Sequence, residues 1–295
     1  LTLDTAAEDH SVMPKLKSNG IEIEYEQFGI AGDKPLLMVM GLGAQMIQWD
    51  EEFLGGFVAR GFHVTRFDNR DVGLSTKLEA AGTPNIPQMM AEAANGKTPS
   101  VAYTLDDMAD DAAGVLDALG IESAHVAGAS MGGMIAQVLA MRHPSRVRSL
   151  TSIMSSTGNP NLPSAKPEAM ALLMRPRATD RDAAIDGMVE ARKLLSGGVV
   201  AFDEERARRS AALAFDRSNY PAGMARQMAA IMAGGNRVPE LQKLKVPTLV
   251  IHGDLDPLVP IEGGHDTANA IPGAEMRVVA NMGHDLNPAH WAEIT

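Results

Sequence analysis

The chain has 295 residues, of which 45% are hydrophobic and 21% charged; this balance suits a soluble chain with a sizeable core, as one large domain or one domain carrying an insertion. A net charge of −11 repels phosphate backbones and, more weakly, anionic membrane surfaces, which argues against nucleic acid and membranes as partners. The absence of cysteine excludes disulfides, thiolate metal sites and a thiol nucleophile, and no apolar run reaches the length that crosses a bilayer.

Residues 1–18 read as a mobile leader, and 1–10 lack the apolar core of a secretory signal. The chain opens on Leu1 rather than Met, so a missing N-terminal piece is expected, and the cytoplasm is the default compartment. Residues 21–26 alternate apolar and polar side chains, the period of a half-exposed strand. The continuous apolar run 35–40, ended by Gly41, predicts a strand buried on both faces, as in a parallel sheet. Residues 49–60 are helix-like, and 62–67 form a strand ended by Asp68. Thr104 caps a helix over 105–119 with Asp106 and Asp107 in its first turn, and Gly120 ends it. A short strand at 125–128, a helix at 131–142 and a strand at 147–154 follow.

This alternation from 35 to 155 predicts a mostly parallel sheet flanked by helices on both faces. The rhythm breaks at Ser155. Residues 156–167 are a linker punctuated by Pro and Gly, and 168–236 hold helical segments without a convincing strand. Strand and helix return at 246–251 and 262–271, and 275–279 is the last strand. Thr295 falls early in an expected final helix, so the C-terminus is expected to be incomplete. The division predicted is a core α/β domain of 1–155 and 246–295 with an inserted helical unit over 156–245.

Gly128-Ala129-Ser130-Met131-Gly132-Gly133 sits between a strand and a helix, the setting in which G-x-S-x-G marks a nucleophile. A sharp turn there strains the serine backbone, and a side chain at 128 or 132 would collide across it. The following helix aims its free N–H groups at the reacting centre, with the Met131 N–H as one oxyanion donor. The competing reading is a Gly-rich turn with a chance serine.

A serine hydroxyl needs a base, and the base an orienting acid. Among eight histidines, His284 follows the last strand, where a loop emerges at the carboxyl end of the sheet beside Ser130. His252, ending its own strand, is the runner-up. His125 starts a strand and belongs at the opposite edge, His143 looks like a helix C-terminal residue, and His10, His63, His265 and His290 read as surface or packing residues. The acid should follow another strand end. Asp254 and Asp256 both qualify; Asp256 precedes Pro257 in a tight-turn arrangement that projects its carboxylate inward, and Asp254 is the alternative that stabilises the turn. Asp285 points elsewhere if His284 points in.

These segments resemble the α/β-hydrolase superfamily over about residues 21–291: residues 128–133, the stretch Asp68-Asn69-Arg70-Asp71-Val72-Gly73-Leu74-Ser75, residues 253–260, and Gly283-His284. The order Ser, Asp, His is that superfamily's, and the resemblance implies the fold, a helical cap over the insertion, and Asp256 as the acid. The superfamily often carries His-Gly after its third strand; here Met40-Gly41-Leu42-Gly43 stands in that place, which loses the imidazole and keeps a main-chain donor, by position the Leu42 N–H. The Met-Gly variant and the 68–75 segment are similar to the aclacinomycin methylesterase group, which removes a methyl ester from a polyketide.

The expectation is therefore a serine esterase for small or medium, largely apolar carboxylic esters, working through Ser130, His284 and Asp256 with oxyanion donors Leu42 and Met131, and needing no cofactor or metal. Lactone hydrolysis, C–C bond hydrolysis and perhydrolysis share the same triad. Dehalogenase and epoxide hydrolase chemistry is disfavoured, since those relatives place Asp where this chain has Ser130. A ligand-binding receptor of hydrolase descent and a purely structural protein are the competing classes. Trp49, Met224 and Met228 are candidate substrate contacts. Met224, Met228 and Met232 share a helix face, for which plain packing is the simpler account, and Trp49 and Phe53 either border the pocket or pack under it. Asp68, Arg70 and Asp71 read as a braced loop rather than a second acid–base site. Asp106, Asp107, Asp110 and Asp111 read as a solvated helix start rather than a metal cluster, and Arg206, Arg208 and Arg209 as a solvated helix face.

Overall fold

A computed structural model describes residues 14–97 and 99–295; His10 and the leader up to position 13 lie outside the described residues. The rest of the expected leader is a strand, not a loose segment: β1 (Lys15–Ser18) pairs antiparallel with β2 (Ile21–Phe28). Ser18 lies inside the fold, where its hydroxyl donates to the Asp111 carbonyl at 2.7 Å, a long-range contact that local periodicity does not announce.

β3 (Lys34–Val39), β4 (Phe62–Phe67), β5 (Ala124–Ala129), β6 (Val147–Ile153), β7 (Thr248–Gly253) and β8 (Glu275–Val279) complete an eight-stranded sheet of order β1-β2-β4-β3-β5-β6-β7-β8. β2 meets β4 antiparallel, and every pair from β4 to β8 is parallel. The run 34–39 shows why the apolar stretch is continuous. Leu37 and Val39 enter one core and Leu36 and Met38 the core on the opposite face, as the two-residue period of a strand covered on both sides requires.

Helices α1 (Glu51–Val58), α2 (Ile86–Ala94), α3 (Leu105–Ala118) and α4 (Met131–Arg142) alternate with the first strands. α3 starts where expected: the Thr104 hydroxyl accepts from the Asp107 N–H, and the Asp107 carboxylate accepts from the Thr104 N–H, closing a capping box. Between β6 and β7 lie α5 (Pro167–Met174), α6 (Arg181–Leu195), α7 (Glu204–Arg217), α8 (Pro221–Ala233) and the single turn α9 (Val238–Leu241). α10 (Ile261–Ala270) and α11 (Trp291–Ile294) close the chain. Among the described residues, no helix is long and apolar enough to cross a membrane.

The loop after β4 ties the inserted helices to the sheet. Arg226 of α8 grips Asp71 through two hydrogen bonds of 2.7 and 2.8 Å, and Arg217 of α7 lies 2.7 Å from Asp68 and 3.3 Å from Glu24. Arg70 turns the other way and forks onto Asp111 at 2.6 and 2.7 Å. Asp111 is therefore buried and paired, not part of a solvated helix start; Asp110 keeps the expected surface role beside Arg142 and His143. Arg208 and Arg209 pair on the exposed face of α7, but Arg206 departs from that face to bind Asp50 at 2.6 Å.

A buried charge that loses its partner retains its desolvation cost, typically about 3–5 kcal/mol. The Asp71 and Arg226 side chains are 0% and 3% exposed, so Arg226→Met is expected to lower unfolding free energy by about that amount in urea denaturation, and adding Asp71→Asn, which is uncharged, tolerates the φ of 68° and still accepts the Leu78 N–H, to recover part of the loss. A double variant as unstable as the single one contradicts this account.

Candidate active site

Each of the candidate side chains sits at the carboxyl end of a parallel strand, where loops gather over the sheet. Ser130 follows β5 with its backbone at φ 56° and ψ −120°, in the left-handed half of conformational space that non-glycine residues avoid. A Cβ on Gly128 would fall 2.0 Å from the Gly132 carbonyl oxygen, and one on Gly132 would fall 2.0 Å from the Val39 carbonyl oxygen. Both positions thus require glycine for the turn to close against β3.

His284 lies on the loop after β8. Its own N–H donates to the Leu195 carbonyl of α6 at 2.7 Å, and its ring spans the gap between serine and acid: Nε2 is 3.0 Å from Ser130 Oγ and Nδ1 is 2.6 Å from Asp256 Oδ2. A carboxylate only accepts, so Nδ1 carries the proton and Nε2 keeps a lone pair for the serine hydroxyl. Asp256 follows β7. Its other oxygen accepts the N–H groups of Leu258 and Val259, each at 2.8 Å, which is how the Asp-Pro turn aims the carboxylate. Burial raises the Asp256 pKa, but the charge and hydrogen bond of His284, the nearby His252 and the Val259 N–H prevail and hold it below the usual carboxylate range.

The alternatives sort themselves by contact. Asp254 accepts the Asn281 N–H at 2.7 Å and stabilises the turn. His252 does not reach Ser130. It is fully buried, donates through Nε2 to the Val259 carbonyl at 2.8 Å, and stands 3.5 Å from Asp256 Oδ2, an electrostatic neighbour of the acid that strand-end position alone did not reveal. His125 bonds to Ser149 at the far end of the strands, and His290 is buried among packing residues.

Ser130 and His284 open into a cavity of about 520 Å³ that extends beneath α5, α6 and α8. Leu42, Met131, Met224 and Met228 line it; Met232, one turn further along α8, does not. Among the described residues, the backbone N–H groups of Leu42 and Met131 meet no protein acceptor, so both remain available to an oxygen bound beside Ser130. Trp49 does not line this cavity, which corrects its reading as a substrate contact: it is fully buried and stacks on Phe53 at 5.9 Å in the core beneath. Sequence reasoning missed Gln227. Its side-chain oxygen accepts the Gly43 N–H at 2.8 Å while its amide donates to the Arg70 carbonyl at 2.8 Å, tying α8 to the loop that carries Leu42. A lone glutamine among the alanines and methionines of α8 is the one trace it leaves in the sequence.

Fold and site together place the protein among hydrolases built on a parallel sheet, and the chain belongs to the α/β-hydrolase family, whose description as the alpha/beta hydrolase fold matches residues 34–290. Rhodomycin D methylesterase DnrP of Streptomyces peucetius is 30% identical over 282 residues, covering 88% of each chain, in line with the methylesterase resemblance of the motifs. The 2-hydroxymuconate semialdehyde hydrolase of Pseudomonas sp. strain CF600 is 33% identical over 221 residues, covering 70% of this chain and 71% of that one. The solved esterase EaEST of Exiguobacterium antarcticum shares the fold, with a TM-score of 0.73 at 21% identity over 96% of both chains.

The folded pKa of Asp256 lies below its unfolded value of about 3.9. Its contribution to stability is therefore complete above about pH 5 and declines as pH falls toward the folded value. Asp256→Asn is expected to be less stable than wild type in urea at neutral pH, with the gap narrowing by about pH 3. A gap of constant size across that range contradicts the depressed pKa.

Proposed function

We propose that the protein is a serine esterase that cleaves small or medium, largely apolar carboxylic esters through an acyl-enzyme. The observation that carries this reading is the unbroken line from Ser130 Oγ to His284 Nε2 at 3.0 Å and from His284 Nδ1 to Asp256 Oδ2 at 2.6 Å. Ser130 Oγ attacks the ester carbonyl carbon as its proton passes to His284 Nε2, and Asp256 stabilises the resulting imidazolium. The carbonyl oxygen gains the negative charge and is held by the N–H groups of Leu42 and Met131; loss of one such donor typically costs about 2.7–4 kcal/mol. Collapse of the tetrahedral adduct breaks the C–O bond, and His284 returns its proton to the departing alcohol. Water, deprotonated by the same imidazole, then releases the acid and restores Ser130.

The methylesterase relative at 30% identity supports ester cleavage. The 33% identical relative named as a 2-hydroxymuconate semialdehyde hydrolase keeps a second reading in view, hydrolysis of a carbonyl substrate that is not an ester, for which C–C bond hydrolysis by the same residues is the candidate. A panel of esters, lactones and 2-hydroxymuconate semialdehyde separates the two by which bond breaks.

With p-nitrophenyl esters, wild type is expected to release nitrophenolate in turnover, and Ser130→Ala to lose about 10⁶-fold in kcat while still binding the non-hydrolysed ester by calorimetry. Unchanged turnover in Ser130→Ala contradicts nucleophilic catalysis at this residue. Binding by wild type with neither burst nor turnover indicates a receptor instead.

A further inference from the structure

A second chamber of about 360 Å³ meets the first at the reacting centre. His284, Leu42 and Met154 line both, whereas Ser130 and Met131 line only the larger one. The walls differ in chemistry. Around the larger chamber stand Met134, Met170, Leu173, Met228 and Ile231. The smaller one alone carries Asp50, Arg192, Asp203, Arg206 and Asp285, while Arg177 lines both and Arg175, paired with Glu190, lines the larger. Some of these are committed to the protein: Arg206 binds Asp50 at 2.6 Å, and Asp203 caps α7 through the Arg206 N–H at 2.9 Å. Others are not. Asp285 Oδ1 is buried and accepts no hydrogen bond. Among the described residues, Arg192 makes no side-chain hydrogen bond or ion pair, and the only polar contact of Arg177 is Nε to Met224 Sδ at 3.2 Å.

The chemistry of acyl transfer orients a substrate between these spaces. The leaving oxygen must take its proton from His284 Nε2, so the alcohol portion departs on the imidazole side, while the acyl carbon stays bonded to Ser130. His284 faces the smaller chamber and Ser130 does not. A hydroxyl group accepts from the uncommitted Arg192 guanidinium, which belongs to the smaller chamber alone; an alkyl group leaves it unpaired.

We propose that the two chambers divide the ester: the acyl group fills the larger apolar chamber and the leaving alcohol the smaller polar one, so the preferred substrates join a bulky apolar acid to a hydroxylated alcohol. The inference rests on the esterase reading above and specifies its substrate class.

The test compares kcat/KM for 1-octanoylglycerol, propyl octanoate, 1-acetylglycerol and propyl acetate in wild type and three variants. Gly187 lines the larger chamber and a Cβ there meets nothing within 4 Å, so Gly187→Phe has room to fill that space; Ser210→Trp fills the smaller one; Arg192→Leu removes a polar partner at nearly constant volume. Wild type is expected to favour the glycerol ester over the propyl ester by at least about tenfold. Gly187→Phe should abolish the octanoyl-over-acetyl preference and keep the glycerol preference. Ser210→Trp should do the reverse, and Arg192→Leu should lower the glycerol preference alone. Circular dichroism and covalent labelling of Ser130 by a small fluorophosphonate report that the fold and the serine survive in each variant, and Arg192→Leu serves if Ser210→Trp does not fold. An active wild type without glycerol preference, or a glycerol preference untouched by Arg192→Leu, overturns the division of the chambers and leaves the esterase reading standing. A wild type inert toward all four esters overturns both.

Discussion

The site depends on the turn that carries Ser130. Its backbone stands at φ 56° and ψ −120°, a conformation that costs roughly 1–3 kcal/mol and persists only where the surroundings determine it. Here they do. The Ser130 N–H donates to the Ile153 carbonyl at 2.9 Å, the Ser155 hydroxyl donates to the Ser130 carbonyl at 2.8 Å, and α4 behind the turn is buried along nearly its whole length. Gly128 and Gly132 allow the main chain to close against itself and β3. The hydroxyl is left at the tip of a rigid bend, facing the imidazole, beside main-chain donors with no other acceptor. Flexibility at this point would dissipate the alignment on which the proposed proton transfer relies.

A second level of organisation holds the covering helices over that bend. Asp68, Asp71 and Glu24 take their partners from α7 and α8. Such pairs add little net stability because both charges leave water, but each has few acceptable geometries and so fixes where the helices sit. Gln227 extends this control to the Met40–Gly43 loop by binding the Gly43 main chain. The helix that lines the cavity thereby also positions the loop bearing the proposed oxyanion donor Leu42. The same contacts therefore set the shape of the cavity and the position of that loop.

What the sequence revealed was governed by locality. Apolar runs at 35–40 and 246–251, the Thr104 cap and the Gly-x-Ser-x-Gly turn are short-range patterns with one physical solution, and the parallel sheet followed from them. His284, Asp256 and Ser130 were found because strand ends converge in this architecture and the motifs resemble a known superfamily. The Arg217 and Arg226 partners, the burial of Asp111 and the His252–Asp256 contact join residues far apart in the chain or across a turn, and neither composition nor period encodes those pairings. Trp49, a candidate substrate contact, stayed open for the same reason: an aromatic residue beside a loop reads equally as pocket wall or as core, and its burial and stacking on Phe53 decide for core. Residues 15–18 looked like leader because an edge strand so short carries no periodicity of its own.

The most direct test of the central claim is covalent. A fluorophosphonate reacts with a serine only when a base activates its hydroxyl and donors receive the developing oxyanion. Peptide mass spectrometry of the treated protein is expected to find one phosphonate adduct, on the peptide containing Ser130, with labelling suppressed when His284 is replaced by alanine. Labelling at another serine, or none at Ser130 in a folded wild-type protein, would contradict an activated hydroxyl at this turn.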